Sequence, residues 1–282
     1  MKKYLIGLYE KAMPGNLTWR EKFQQAKKAG FDFIEISIDE TDEKLSRLDW
    51  TKEERLEFVK TMYEEDMPIL SMCLSGHRRF PLGSAEEAVR KKSLEIMEKA
   101  IALAVDLGIR VIQLAGYDVY YEESTDETKA FFLENLKKSA EMAGAAGVSL
   151  GFETMETEFM NTVGKAMYYV DEVKSPYLGV YPDSGNLKNA SVLYGTDMYE
   201  DLKSGEGHVM ALHLKETKPG VFREVPFGQG HVDFAKVIDT AWNMGIRRYV
   251  TEFWYTGNPA WEGDLRDANQ RMRELLELVS GK

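Results

Sequence analysis

The sequence predicts an α/β chain folded as a single-domain (β/α)8 TIM barrel spanning residues 1–282, and three observations carry that expectation. Short apolar, β-rich runs alternate eight times with longer amphipathic stretches. Several of the amphipathic stretches close on a glycine shortly before the next run, and polar side chains recur at the run ends about one repeat apart. Strands that alternate with helices form parallel βαβ units with right-handed crossovers, and eight such units close most simply into a barrel. A doubly wound open sheet is the alternative; its first strand would lead into a glycine-rich phosphate fingerprint, which LIGLYEKAMPGN lacks.

The strands expected are 3–8, 33–38, 69–74, 110–114, 148–153, 178–181, 209–214 and 248–253. Helical patterns lie near 17–29, 51–65, 85–107, 127–146, 162–174, 197–204, 233–244 and 264–279. Gly30, Gly108, Gly147 and Gly245 each stand one to three residues before a strand, the mark of a helix-to-strand turn. No linker or low-complexity segment interrupts the pattern, and 282 residues with 44% hydrophobic content suit one large core.

Charge and composition exclude several roles. The formal charge of −11, from 36 basic and 47 acidic residues, opposes binding to a phosphate backbone, so no nucleic-acid partner is expected. Cys73 is the sole cysteine, which leaves no intramolecular disulfide and suits a reducing compartment. MKKYLIGLYEKAMPG has too short an apolar core for a signal peptide, and no run approaches a membrane span. These features together point to the cytoplasm.

In a barrel of this kind chemistry sits at the C-terminal ends of the strands. Glu153 ends the fifth strand, Asp183 follows the sixth, His213 lies in the seventh and Glu252 in the eighth, at separations of 30, 30 and 39 residues. That spacing sets all four at similar height on one rim. Three carboxylates crowded together repel unless a cation joins them, so the set is read as a site for one divalent metal ion. Its oxygen-rich character suits Mn²⁺, Mg²⁺ or Co²⁺ better than a structural thiolate zinc, although Zn²⁺ is also accepted by such ligands. Each residue alone has a plainer reading: an ion-paired Glu, a core His, or Asp183 as a turn residue or helix N-cap.

A metal chelating two adjacent sugar oxygens would acidify the hydrogen beside a carbonyl and stabilise an enediolate. Glu153 and Glu252, three strands apart, could then serve from opposite faces as general base and general acid and invert the stereocentre. His77, Arg78 and Arg79 form a basic tripeptide after the third strand, and Lys215, Lys218 and Arg223 follow the seventh. Both groups are candidate anchors for an anionic substrate group or, equally, solvated loop charges. Gly228-Gln229-Gly230 is a weak phosphate-turn signal. Tyr117, Tyr120, Tyr121, Phe159, Trp254 and Tyr255 could wall a sugar pocket or simply pack.

On the residues SMCLSGHRRFPLGS at 71–84, VIQLAGYDVYYEE at 111–123, HLKET from 213 and VPFGQGHVDF ending at 234, the chain resembles the xylose-isomerase-like barrel superfamily. Within it, the resemblance is to the L-ribulose-5-phosphate 3-epimerases of L-ascorbate and L-xylulose use. The resemblance covers essentially the whole chain and places the superfamily's metal ligands on Glu153, Asp183, His213 and Glu252. It implies that the two glutamates are the acid/base pair and that L-xylulose 5-phosphate and L-ribulose 5-phosphate are interconverted at C3. A homodimer is implied as well. Epimerases of unphosphorylated ketoses carry a His three residues after the metal Asp and a second Glu six after the metal Glu. Here those positions hold Asn186 and Phe159, with Glu156 and Glu158 nearby, which favours the phosphorylated branch and makes Asn186 a further candidate substrate contact.

Aldose–ketose isomerases and inosose dehydratases would use a similar site and are the chief rivals. Metal-dependent apurinic endonucleases share the barrel but need many histidines, and this chain has four. A sugar-phosphate-binding protein without chemistry would have less need for two proton-transfer groups on one metal.

Overall fold

The computed structural model describes residues 2–281. Eight parallel strands follow the order β6-β5-β4-β3-β2-β1-β8-β7, with β1 at Leu5–Tyr9, β2 at Phe33–Ile38, β3 at Ile69–Leu74, β4 at Val111–Ala115, β5 at Ser149–Glu153, β6 at Leu178–Val180, β7 at Leu212–Leu214 and β8 at Arg248–Thr251. The two ends of that order meet through parallel bridges, Val180 opposite Val209 and Asp183 opposite His213. The His213 N–H donates to the Pro182 carbonyl at 2.9 Å, so the seam closes at the level of the rim residues. The expected TIM barrel is borne out.

Ten helices occur among the described residues: α1 Trp19–Lys28, α2 Asp42–Leu45, α3 Lys52–Glu65, α4 Glu87–Leu107, α5 Asp126–Ala146, α6 Val163–Val173, α7 Ser184–Tyr194, α8 Met198–Lys203, α9 Phe234–Asn243 and α10 Trp261–Ser280. Gly108 and Gly147 end α4 and α5 in the left-handed region, where a residue without Cβ is unstrained. Asp66 and Lys174 do the same for α3 and α6 at some steric cost. Helix α7 is an addition to the expected pattern. Its sequence SGNLKNASVLY lacks an apolar stripe, and its buried face is made largely of small and amide side chains.

Strand alternation sorts the core into two shells. Ile34, Ile36 and Ile38 of β2 face the helices in the main apolar cluster, while Phe33 of the same strand joins Tyr9, Cys73, Val111, Tyr181 and Val250 inside the barrel. Gly7 makes room there: a Cβ on it would fall on the Phe33 ring. The barrel interior is therefore packed at its base, and the polar side chains on inward positions lie above that floor. No helix among the described residues is long and apolar enough to cross a membrane.

Candidate metal centre

Glu153, Asp183, His213 and Glu252 converge as the strand spacing requires. Each offers a ligand atom, and these atoms lie within 4.8 Å of one another. Asp183 and His213 are fully buried, and Glu153 and Glu252 are 5% exposed. His213 Nδ1 lies 2.8 Å from Glu252 Oε2, and the Asp183 Oδ1 atom accepts from the Asn186 N–H at 2.7 Å. Asp183 is thus the N-cap of α7 as well as a member of the cluster, so its plain and functional readings coexist.

Electrostatics push the two glutamates apart. Burial, with the charge of Glu252, raises Glu153 to about 8, and burial raises Asp183 to about 7. Against the same burial, Lys215 and His213 hold Glu252 well below the usual carboxylate range. His213 is raised well above its ordinary value because the carboxylates of Glu35 and Glu252 outweigh its burial. The fit to a divalent cation rests on the donor set itself and on Asp183 Oδ2, a buried carboxylate oxygen with no hydrogen-bond partner. A buried Glu/Asp/His cluster able to hold a metal ion is therefore present.

The remaining candidates separate. Lys215 is not a loop cation: one strand period beyond His213, it points into the cluster, with Nζ 3.1 Å from Asp183 Oδ1 and 3.8 Å from Glu252 Oε2. Arg78 stays at the mouth. Its guanidinium stacks on the Tyr120 ring at 4.7 Å and donates to the Tyr117 hydroxyl at 3.3 Å, while its buried Nε has no partner. Tyr117 in turn donates to Glu156 at 2.7 Å, and Arg223 lies 3.8 Å from Glu156 and over Trp254. Loops after β3, β4, β5, β7 and β8 thereby form one polar and aromatic rim.

His77 and Arg79 leave this group, which corrects the expectation of a continuous basic tripeptide. The short 3-10 turn over Ser75–Arg78 sends His77 inward, where its Nε2 meets the Ser93 carbonyl at 3.1 Å and burial lowers it to about 4, a neutral imidazole. Arg79 faces outward to Asp42 at 2.7 Å. Asn186 is buried and spends its amide on the Thr154 carbonyl at 2.7 Å, leaving Oδ1 without a partner. A cavity of about 320 Å³ opens beside it, lined by Met155, Glu156, Asn189 and Phe222. The Gly228-Gln229-Gly230 turn is closed to an anion, because the Glu216 carboxylate already accepts from the N–H groups of Gly228 and Val232 at 3.1 Å each. Phe159 packs against Phe132 and Tyr169.

Two groups were missed from sequence. Glu35, on β2, touches His213 across the barrel. Glu10, just after β1, gathers Lys22, Lys44 and Arg47 in a buried cluster. Strand periodicity puts Glu35 on the inner face with Phe33, and a lone acid there was the available signal.

A closed parallel barrel with a buried Glu/Asp/His cluster on its C-terminal rim is a scaffold able to hold a metal ion, and the chain belongs to the xylose isomerase-like TIM barrel family, whose model matches residues 23–276. It is 50% identical over 254 residues to L-ribulose-5-phosphate 3-epimerase UlaE of Escherichia coli (strain SMS-3-5 / SECEC), a match covering 90% of this chain and 88% of that protein. The same protein of Escherichia fergusonii matches with the same identity and coverage. Among solved structures, an L-ribulose 3-epimerase superposes with a TM-score of 0.79 at 20% identity, covering 98% of this chain and 96% of that one. D-psicose 3-epimerase from Clostridium cellulolyticum H10 gives 0.80 at 15% identity over 96% and 99%. At such identities these two likenesses speak for the fold.

Proposed function

We propose that this chain is an L-ribulose-5-phosphate 3-epimerase, an isomerase that interconverts L-xylulose 5-phosphate and L-ribulose 5-phosphate by removing and returning the proton at C3. The observation that carries this reading is the 50% identity to UlaE over nearly the whole of both chains. The meeting of the Glu153 and Glu252 carboxyls in one buried cluster supports it, because two such groups against one substrate can supply a base and an acid.

Glu153, Asp183, His213 and Glu252 would hold one divalent ion, Mn²⁺, Mg²⁺, Co²⁺ or Zn²⁺, which when bound supplies Lewis-acid polarisation of the C2 carbonyl. One of the two carboxylates takes the C3 proton, and the C3–H electron pair becomes the C2–C3 double bond as the C2=O π pair moves onto O2, giving an enediolate. The other carboxyl returns a proton to C3 from the opposite face, so no atom or electron is gained overall. Lys215, already against Asp183 and Glu252, offsets part of their charge. Arg78 and Arg223 at the mouth are assigned to the phosphate, and Asn186 to a hydroxyl contact through its free Oδ1. The enzyme is read as one cytoplasmic catalytic domain that works as a homodimer, a state that light scattering on the eluted protein would check.

The test is deuterium incorporation from D₂O at C3, followed by NMR with both epimers. Appearance of the deuterated second epimer supports the reading. Loss of the C2 carbonyl signal to C1, or loss of water, would replace it with isomerase or dehydratase chemistry.

Chelation is expected to abolish exchange, and readdition of Mn²⁺ to restore it. The raised Glu153 and Asp183 carboxyls keep protons that the ion must displace, so loading at pH 6 should release more protons and be weaker than loading at pH 8. Calorimetric metal titrations in buffers of different ionisation enthalpy would measure this. Arg78→Met is expected to raise KM for the phosphorylated sugar roughly tenfold to a hundredfold, the worth of one charged hydrogen bond, while leaving turnover of unphosphorylated L-ribulose unchanged. Equal effects on both substrates would remove Arg78 from phosphate binding.

A further inference from the structure

We propose that Glu35 is a positioning residue of the metal centre: it accepts the Nε2–H of His213 and so presents Nδ1 of that ring to Glu153, Asp183 and Glu252. The inference rests on the metal reading above and assigns a role to a residue outside the ligand set. Glu35 stands at an inward position of β2 and is fully buried. Its Oε1 lies 2.7 Å from His213 Nε2, and its Oε2 accepts from the Ser71 hydroxyl at 2.6 Å and the Tyr181 hydroxyl at 2.9 Å.

A carboxylate without such partners would pay a large desolvation penalty in the barrel, and here every partner helps fix its direction. Ser71 comes from β3, His213 from β7 and Tyr181 from just beyond β6, so the carboxylate is held from three sides and cannot swing. Which imidazole nitrogen is free to bind an ion depends on what the other one donates to. The two ends of His213 are distinguished by Glu35 at Nε2 and by Glu252 at Nδ1. Gln113 cannot choose between them, since its Nε2 is 3.3 Å from both ring nitrogens. Tyr181 adds a second restraint by packing edge-on to the imidazole, with ring centroids 5.0 Å apart. Fixing the ring in advance removes rotational freedom that ion binding would otherwise have to overcome.

The test uses the full metal-free chain, Zn²⁺ as the probe, and competition with a chelator to measure affinity, beside the melting temperature of each metal-free protein. Glu35→Gln keeps the volume but loses the charge and is expected to weaken Zn²⁺ binding roughly tenfold to a hundredfold. Tyr181→Phe, which leaves Glu35 in place but loosens it, should weaken binding by a smaller factor. Imidazole ¹⁵N NMR of the Zn²⁺-loaded wild type should show the His213 proton on Nε2. A folded Glu35→Gln protein with wild-type affinity overturns the proposal, as does a proton found on Nδ1. If Glu35→Gln fails to fold, unchanged affinity in both Tyr181→Phe and Ser71→Ala overturns it instead. A wild type that takes up no Zn²⁺ overturns the metal reading itself, which separates that failure from this one.

Discussion

Glu153→Gln and Glu252→Gln, each assayed at saturating Mn²⁺, are expected to slow epimerisation by roughly 10²–10⁴-fold, the usual worth of a positioned acid or base. The substitution keeps an amide oxygen where the carboxylate oxygen was, so the shape of the site survives while proton transfer does not. The two variants should also differ from each other. If the carboxyls serve opposite faces of C3, each variant loses exchange from one epimer and retains some from the other, with opposite preference. Measuring exchange separately on L-ribulose 5-phosphate and L-xylulose 5-phosphate reads this directly. Epimerisation at the wild-type rate in either variant would leave that glutamate only a structural or ligating part. Their separation of three strands, from the end of β5 to the residue after β8, is what makes the two-sided arrangement available.

The largest effect on stability is expected from Glu10→Ala. Glu10 is 1% exposed and accepts from Lys22 at 3.0 Å, from Lys44 at 2.7 Å, from both terminal nitrogens of Arg47 at 2.6 and 2.7 Å, and from the Ser37 N–H at 2.9 Å. Removing it strands three cations in a closed pocket, and breaking a buried pair in this way costs about 3–5 kcal/mol. For a chain of this length that lowers Tm by roughly 5–10 °C. Against its burial, Arg47, Lys22 and Lys44 hold the Glu10 carboxyl far below the usual carboxylate range. Because the folded pKa is depressed, the stabilisation is fully present above the unfolded value and fades only as the pH falls through the folded one. The gap between wild type and variant in urea unfolding should therefore persist from pH 7 to about pH 4 and narrow below it. Adding Lys22→Met to Glu10→Met should recover part of the loss by removing one stranded charge. A variant as stable as wild type at pH 7 would show that water reaches the cluster.

Much of the site could be read from the chain because parallel βα repeats convert sequence spacing into angular position. Glu153, Asp183, His213 and Glu252 fall one repeat apart, and the four strand ends that carry them return to one rim. Lys215 was legible in principle, since a residue two beyond His213 on a strand shares its face, but as one of several cations after the seventh strand it looked like a loop charge. Helix α7 carries little periodic signal because its buried side, apart from Leu187, is made of Ser, Gly, Asn and Ala, which leave no apolar stripe. The fate of the basic tripeptide was decided by a turn of 3-10 helix, which sent three neighbouring side chains in three directions.

Periodicity and residue chemistry therefore point to the barrel, to the order of its strands along the chain and to the four residues that meet at its rim, leaving a doubly wound sheet as the alternative that the fold excludes. Those follow from local patterns repeated eight times. Contacts across the barrel obey no such pattern. Glu35 and His213 are 178 positions apart, yet opposite inward faces bring them to 2.7 Å. Glu10 likewise gathers Lys22 from α1 and Lys44 and Arg47 from the helical segment after β2, a convergence of charges that no periodicity marks. Pairings of this kind depend on how closure and stagger set one strand against another, and a linear chain carries that information only once it is folded.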